Sequence, residues 1–141
     1  MKETDELLSK LQNSADINSL NNYLNSIGGE YPETLNEYLK ILLKEKKCKP
    51  SELIKRSKIE RTYCYQILNG RKKPGRDKLI AIALALNLSL EETQRMLEIS
   101  KEGVLYAKSK RDSIIIFALN HQYSLIDSNE LLSSYGEEEL N

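Results

Sequence analysis

The sequence predicts an all-α protein, and three features lead to this prediction. Residues 49–76 have the pattern of a short helix, a tight turn, a second helix and a basic loop. On either side of this stretch, apolar residues recur at the spacing of one helix face. Thr34 and Ser89 stand at helix N-cap positions, each with a Glu three residues later.

Two short amphipathic helices are predicted ahead of the central domain. We assign residues 1–30 to this N-terminal arm, which the pair Gly28-Gly29 ends. The arm either mediates dimerisation or partner binding, or covers the core of the following domain, and the sequence leaves both open. Its two apolar stripes consist of Leu7, Leu8 and Leu11, then Ile17, Leu20, Leu24 and Ile27.

The central domain is predicted to span residues 31–105 and to begin with a helix that Thr34 caps. Glu37 lies at the capping-box distance from Thr34. The apolar residues that follow recur at helical spacing, so this helix has one buried face. They are Leu35, Tyr38, Leu39, Leu42 and Leu43.

Two helices separated by a tight turn follow. Pro50 suits the first position of a helix because its missing N–H would have no partner there. We predict one helix over residues 50–57 and a second over residues 60–68, with Lys58-Ile59 as the turn. Asn69-Gly70 is typical of a helix C-cap.

The second of these helices separates its residues by face. One side carries side chains that can hydrogen-bond to base edges in the major groove of DNA, and the other is mostly apolar. The basic loop that follows could contact phosphates. The outward side consists of Arg61, Thr62, Tyr65, Gln66 and Asn69, the inward side of Tyr63, Cys64, Ile67 and Leu68, and the loop cations are Arg71, Lys72, Lys73 and Arg76.

Residues 39–97 resemble the five-helix DNA-binding domain of the Xre and lambda-type phage repressors. The shared pattern includes Leu53, Ile59, Cys64 and Ile67, then Asn69-Gly70, a basic loop and Pro74, followed by the apolar run LIAIALALNLSL. The resemblance implies base contacts by Arg61, Thr62 and Gln66. It also implies DNA-backbone contacts near Lys49, Asn69, Arg71 and Lys73.

Three residues depart from the family pattern. Pro50 stands where Gln is frequent, which removes a phosphate contact. Lys58 stands where Gly is usual, so a positive φ at this position would be strained or avoided. Leu68 replaces a common Glu. These departures affect the contacts with DNA more than the fold.

The end of the chain is predicted to repeat the end of the central domain. An apolar helix over residues 77–86 is followed by Ser89 and Glu92, a second capping box. A shift of 35 residues aligns residues 76–105 with residues 111–140, and both segments begin with Arg-Asp. We predict an αα-hairpin in residues 106–141, which packs on the last helices of the central domain or on a second subunit. Shared helical periodicity alone could also produce this similarity.

Charge is unevenly distributed along a chain whose formal net charge is zero. Residues 1–33 hold two Lys against six Asp or Glu, a net charge of −4. Residues 34–76 hold thirteen Lys or Arg against four Glu, a net charge of +9. Residues 77–141 hold six Lys or Arg against eleven Asp or Glu, a net charge of −5. The basic block coincides with the predicted helix-turn-helix, as a phosphate-binding surface requires.

The sequence offers no basis for an enzyme, a cofactor or a metal site. His121 is the single histidine and stands near a predicted helix end, which favours a C-cap role. Cys48 and Cys64 form no metal-binding motif, so we expect free thiols in a reducing cytoplasm. The longest apolar run, residues 79–86, is too short to cross a bilayer.

These observations predict a cytoplasmic, sequence-specific DNA-binding transcriptional regulator. Double-stranded DNA is the expected partner, contacted at the bases by Arg61, Thr62, Tyr65 and Gln66 and at the backbone by Lys49, Asn69 and the loop cations. We expect a homodimer on an inverted repeat. The alternative is a protein-interaction adaptor or antitoxin-like partner that uses the acidic C-terminal hairpin.

Overall fold

The computed structural model describes residues 34–141. Seven helices and no strands occupy these residues, so the predicted all-α class is confirmed. The predicted N-terminal arm lies outside the described residues. The helices are α1 Leu35–Glu45, α2 Pro50–Ser57, α3 Arg61–Leu68, α4 Arg76–Ala85, α5 Leu90–Ile99, α6 Lys110–Asn120 and α7 Leu125–Ser134.

Side-chain caps fix where several helices begin. The Thr34 hydroxyl accepts a hydrogen bond from the Glu37 N–H, as predicted for α1. Ser89 and Glu92 form a complete capping box at α5, also as predicted. Helix α3 begins at Arg61 rather than Glu60, because the Glu60 carboxylate is its N-cap.

Most helices end in a tight left-handed turn that returns the chain to the core. Lys47, Lys58, Asn87, Lys101 and Gln122 all have φ between 52° and 60°. Left-handed backbone costs about 1–2 kcal/mol for a residue with a side chain. After Asn87 the N–H of Leu88 bonds back to the Ala83 carbonyl, and Leu88 is buried. The apolar residue after the turn therefore offsets the backbone cost, as in the Schellman motif.

Helix α4 lies at the centre of the core. Its residues 79–85 are all buried, so α4 must be covered on every side. Helix α2 packs on one side of α4, and helices α5, α6 and α7 pack on the others. The hairpin α6–α7 therefore contacts the last helices of the central domain, one of the two arrangements predicted for it. The predicted boundary at residues 105/106 falls in the loop before α6 and remains a prediction.

Two reciprocal Arg–Asp ion pairs join the hairpins α4–α5 and α6–α7. The Arg76 guanidinium donates to both Asp112 carboxylate oxygens, at 3.1 Å and 2.8 Å. The Arg111 guanidinium donates in the same way to Asp77, at 3.1 Å and 3.0 Å. Arg76-Asp77 and Arg111-Asp112 occupy equivalent positions in the two hairpins, 35 residues apart. Each hairpin therefore contributes one Arg and one Asp to the two ion pairs. Such reciprocity is what an approximate two-fold axis between the hairpins produces.

The equivalence of the two hairpins extends to their loops. Arg76 also donates to the carbonyls of residues 103 and 104, and Arg111 donates to those of residues 138 and 139. The N–H of Leu105 bonds to the Gln94 side chain, and the N–H of Leu140 bonds to the Asn129 side chain. In each case the equivalent residues of the two hairpins are 35 positions apart in the sequence. Shared helical periodicity would not reproduce such contacts, so the sequence repeat is a structural repeat.

The ion pair of Asp112 is the more deeply buried of the two. The Asp112 side chain is 9% exposed, whereas that of Asp77 is 28% exposed. Burial alone would raise the pKa of Asp112, but hydrogen bonds from Arg76 and from the Tyr106 N–H hold this pKa below its usual value. Asp112 is therefore ionised at neutral pH, and its contribution to stability is lost as the pH falls through this lowered pKa.

The difference in burial gives a stability prediction. Asp112→Asn should lower the free energy of unfolding by about 2–4 kcal/mol, because it leaves Arg76 inside the hairpin contact without a counter-charge. Asp77→Asn, at the equivalent and more exposed position, should cost about 1–2 kcal/mol. Urea unfolding of both variants measures the difference. Equal losses would contradict the role assigned to burial.

Candidate nucleic-acid interface

The turn between α2 and α3 sets the position of α3. Lys58 adopts φ 60° and ψ 17°, and its N–H bonds to the Ile54 carbonyl. Of the two outcomes expected for a positive φ here, strain or avoidance, the structure has the strained one. Ile59 is 4% exposed, so its burial in the core holds the turn in place even though Lys58 carries a side chain.

Glu60 anchors the first turn of α3. Its carboxylate accepts hydrogen bonds from the N–H groups of Tyr63, at 2.8 Å, and Thr62, at 3.0 Å. These two bonds lower the pKa of Glu60. The sequence prediction placed Glu60 inside the helix, and because Glu is not among the usual N-cap residues, its type gave no signal for a cap.

The inward side of α3 is buried as predicted. Cys64, Ile67 and Leu68 are at most 7% exposed and belong to the core. Tyr63 is half-buried, and the Lys78 ammonium lies 5.9 Å from the centroid of its ring. Helix α1 packs against α3 from within the same domain. This packing fixes which side of α3 faces outward.

The outward side of α3 presents polar groups to solvent. Arg61, Thr62 and Asn69 are exposed, while Tyr65 and Gln66 are half-buried. The Arg61 guanidinium lies 5.4 Å from the centroid of the Tyr65 ring, a cation–π distance. Tyr65 thus supports the Arg61 side chain. These five residues form one continuous surface, which we call the α3 face.

The loop after α3 presents three cations beside the α3 face. The N–H groups of Arg71 and Lys72 both bond to the Gln66 carbonyl, which ties the loop to the end of the helix. Arg71, Lys72 and Lys73 are exposed, and Pro74 is buried. The side chains are therefore free to contact phosphates while the backbone is held in place.

Gly70 allows the loop to leave α3 against α1. Its φ is 78°, and a Cβ at this position would lie 3.1 Å from the side chain of Asn36. Both the left-handed backbone and the close approach favour glycine here. The sequence predicted the cap, but not the contact with Asn36, which belongs to another helix.

Lys49 lies at the N-terminus of α2. It is the N-cap residue, is exposed and makes no side-chain capping hydrogen bond. Pro50 follows at the first helical position, as predicted. The Lys49 side chain thus lies at a helix end that it does not cap.

Arg76 has a different role from the one predicted. Its guanidinium is bound by Asp112 and by the carbonyls of Gly103 and Val104, so four of its five N–H donors are occupied within the protein. We therefore correct its assignment as a DNA-backbone contact. The repeated Arg-Asp dipeptide was the sequence signal for this structural role.

The structure also bears on the other residues that the sequence singled out. His121 is the C-cap residue of α6, as predicted. Cys48 and Cys64 are buried free thiols, and burial raises the pKa of each. Between residues 34 and 141, His, Cys, Asp and Glu nowhere form a group that could hold a metal ion. No helix in the same range has the length and apolar content that a bilayer crossing requires.

Comparison with known families identifies the domain. Residues 39–93 match the helix-turn-helix family model of the Cro/C1, Xre-like type. Residues 39–93 are therefore similar to a helix-turn-helix domain of this type, as the sequence indicated. Comparisons with curated proteins and with solved structures found no match.

The strained turn gives a second stability prediction. Lys58→Gly should raise the free energy of unfolding by about 0.5–1 kcal/mol, because the relief of left-handed strain exceeds the entropy that Gly adds to the unfolded chain. Lys55→Gly, inside α2, should lower it by about 1 kcal/mol. Chemical denaturation compares the two variants. Destabilisation by Lys58→Gly would show that the lysine side chain stabilises the turn.

Proposed function

We propose that this protein is a sequence-specific regulator that binds double-stranded DNA with α3 in the major groove. The observation that carries the proposal is the exposed α3 face, flanked by a basic loop and held by a helix-turn-helix fold. An α-helix fits the width of the major groove, where each base pair presents a distinct pattern of donors and acceptors. No catalytic step is part of this proposal.

The α3 face supplies complementary groups for base edges. Arg61 can donate two hydrogen bonds to the O6 and N7 of guanine, and Gln66 can pair with the N6 and N7 of adenine. Thr62 can contact a thymine methyl group or accept a hydrogen bond. Tyr65 lies under the Arg61 guanidinium, so it both orients Arg61 and reaches the same surface.

Phosphate contacts would come from both sides of α3. Arg71, Lys72 and Lys73 follow α3, and Asn69 is its exposed C-cap residue. Lys49 lies at the N-terminus of α2, where the helix dipole also favours an anion. Residues 34–76 carry a net charge of +9, which supplies the sequence-independent part of the affinity.

The proposed assembly is a cytoplasmic homodimer on an inverted repeat. Two helix-turn-helix domains related by a two-fold axis place their recognition helices about one DNA turn, ~34 Å, apart. The operator would then consist of two half-sites at this spacing.

A second candidate function is an adaptor that binds a protein partner through the C-terminal hairpin. Residues 77–141 carry a net charge of −5, so this part of the chain does not favour DNA. Phe117, Ile126 and Tyr135 are 44–56% exposed on or beside this hairpin. The two functions are compatible, because they use different surfaces.

Replacement of Arg61 tests base recognition. Arg61→Ala should weaken binding to the preferred sequence by about 1–3 kcal/mol and relax specificity at one base position. Selection from a random DNA pool, followed by titration of the selected sequences, measures both effects. Arg56→Ala on α2, where Arg56 pairs with Glu52, serves as a control and should leave specificity intact. An equal loss on all sequences would assign Arg61 to the phosphates.

Replacement of Lys72 tests the phosphate contacts. Lys72→Ala should weaken binding to every sequence and reduce the slope of log K against log salt concentration by about 1. Lys108→Ala removes an exposed lysine from the loop before α6 and should leave the slope unchanged. The titrations are made on one selected and one unrelated duplex. A change confined to the selected duplex would contradict the assignment.

A further inference from the structure

A cavity of about 610 Å³ lies where the helix-turn-helix meets the C-terminal hairpin. Its wall comes from α2 and the turn after it, from the end of α4, and from the turn that leads from α6 into α7. We call it the α2–α7 cavity, and its lining residues lie within 52–58, 84–87 and 122–126. The α3 face and the loop cations are not part of this wall. Small-molecule sites in proteins commonly enclose about 300–1,000 Å³, so the α2–α7 cavity has the size for a small ligand.

Part of the α2–α7 cavity is apolar. Leu84 and Ala85 at the end of α4 and Leu125 at the start of α7 line it, and each is at most 7% exposed. Ile126 lines the cavity next to Leu125 and is 55% exposed, so solvent reaches this apolar side chain. An aliphatic or aromatic group in the cavity would remove these surfaces from water, which favours its binding.

The α2 side of the cavity is basic. Lys55, Arg56 and Lys58 line it together with one carboxylate, Glu52. The Arg56 guanidinium donates to that carboxylate at 3.2 Å, so Glu52 already has a partner. Within residues 34–141 the ammonium groups of Lys55 and Lys58 form no ion pair. The walls from α4 and from the α6–α7 turn contribute no charged residue, so three cations and one carboxylate give the lining a net charge of +2.

The helix ends beside the cavity do not reverse this charge. Helices α2 and α4 end there, and a helix C-terminus carries a partial charge of about −0.5. Helix α7 begins there, and a helix N-terminus carries about +0.5. The three ends together leave about −0.5, which is smaller than the +2 of the side chains. Asp127, in the first turn of α7, does not line the cavity. The α2–α7 cavity therefore favours an anion.

Two equivalent turns of the structural repeat also meet at the cavity. Asn87 follows α4 and Gln122 follows α6, 35 positions apart in the sequence, and both side chains are exposed and line the cavity. Their φ angles are 53° and 55°, so the two turns share one backbone conformation. A side-chain amide can donate N–H groups to an anionic oxygen. The cavity thus offers neutral donors in addition to its cations.

We propose that the α2–α7 cavity binds a small organic anion with an apolar body, such as an aliphatic or aromatic carboxylate. The apolar body contacts Leu125 and Ile126, and the anionic group binds to Lys55 and Lys58. An inorganic anion would leave the apolar part of the lining unused, and a neutral hydrocarbon would leave the cations unused. The bound anion touches both the helix-turn-helix and the C-terminal hairpin. This inference goes beyond the proposed function and does not depend on DNA binding.

Titration of the full chain with octanoate, followed by the NMR signals of the backbone amides, tests the proposal. Octanoate should cause saturable shifts that cluster at residues 55–58, 84–87 and 122–126. Acetate lacks the apolar body, octan-1-ol lacks the charge and octylammonium has the opposite charge. Each of these should bind at least about threefold more weakly, the loss expected for one exposed ion pair or a few apolar contacts. Equal binding of octylammonium or of acetate, or octanoate shifts that spread over the surface without saturation, would overturn the proposal.

Lys58→Gly tests the anionic contact in a protein that keeps the turn. Glycine adopts the left-handed backbone without strain, so this variant removes one ammonium group and leaves the fold in place. It should raise the dissociation constant for octanoate about threefold or more. Lys47→Gly is the matched control, because Lys47 is also exposed, has φ 52° and does not line the cavity. Equal weakening by the two variants, or no weakening by Lys58→Gly, would overturn the role of the cations.

Ile126→Ser tests the apolar contact independently of the lysines. Ile126 and the control position Ile41 are 55% and 42% exposed, so both variants should fold. Octanoate should bind Ile126→Ser about threefold or more weakly and Ile41→Ser as it binds the wild type. Equal binding to both variants would overturn the role of the apolar lining. These measurements use no DNA, so their failure would leave the proposed function standing, and failure to select a DNA sequence would leave the cavity proposal standing.

Discussion

The fold depends on the complete burial of α4. Residues 79–85 are all buried, and such a helix is stable only if neighbours cover every side. Truncation of one large residue in this run, such as Ile80 or Ile82, would cost about 2–5 kcal/mol. Helix α2 covers one side of α4, and the hairpin α6–α7 covers another. The DNA-binding motif and the C-terminal repeat are therefore joined through a shared helix rather than linked as separate pieces.

The candidate interface is held in place because its short helices, α2 and α3, pack against the core. Helices α2 and α3 have eight residues each, which is too short for stability in isolation. Their positions come from buried side chains such as Leu53, Ile59 and Ile67. The cap at Glu60 and the left-handed turns at Lys58 and Gly70 then set the helix ends. The α3 face is thus held in position by the buried core.

Features that depend on local spacing could be predicted from the sequence. The all-α class, the bounds of α2, the caps at Thr34 and Ser89 and the inward side of α3 all follow from residue type and periodicity. The helical character of residues 111–134 followed from the repeat. Each of these features is determined by residues close to it in the sequence, so the local pattern is enough to predict it.

Features that depend on distant residues could not be predicted in this way. A basic loop residue that binds phosphate and one that binds a distant carboxylate look alike in sequence, and the partner of Arg76 is 36 residues away. At Lys58 the burial of Ile59 outweighed the local backbone preference. Tertiary packing decided each of these cases.

The sharing of α4 has a consequence for how the molecule can be divided. A fragment limited to residues 39–93 would contain the whole DNA-binding motif but would leave Arg76 without Asp112 and the far side of α4 open to water. We therefore expect the motif and its C-terminal neighbour to unfold together, as one cooperative unit. Any chimaera that transplants this helix-turn-helix to another protein should therefore take residues 34–141 as its module.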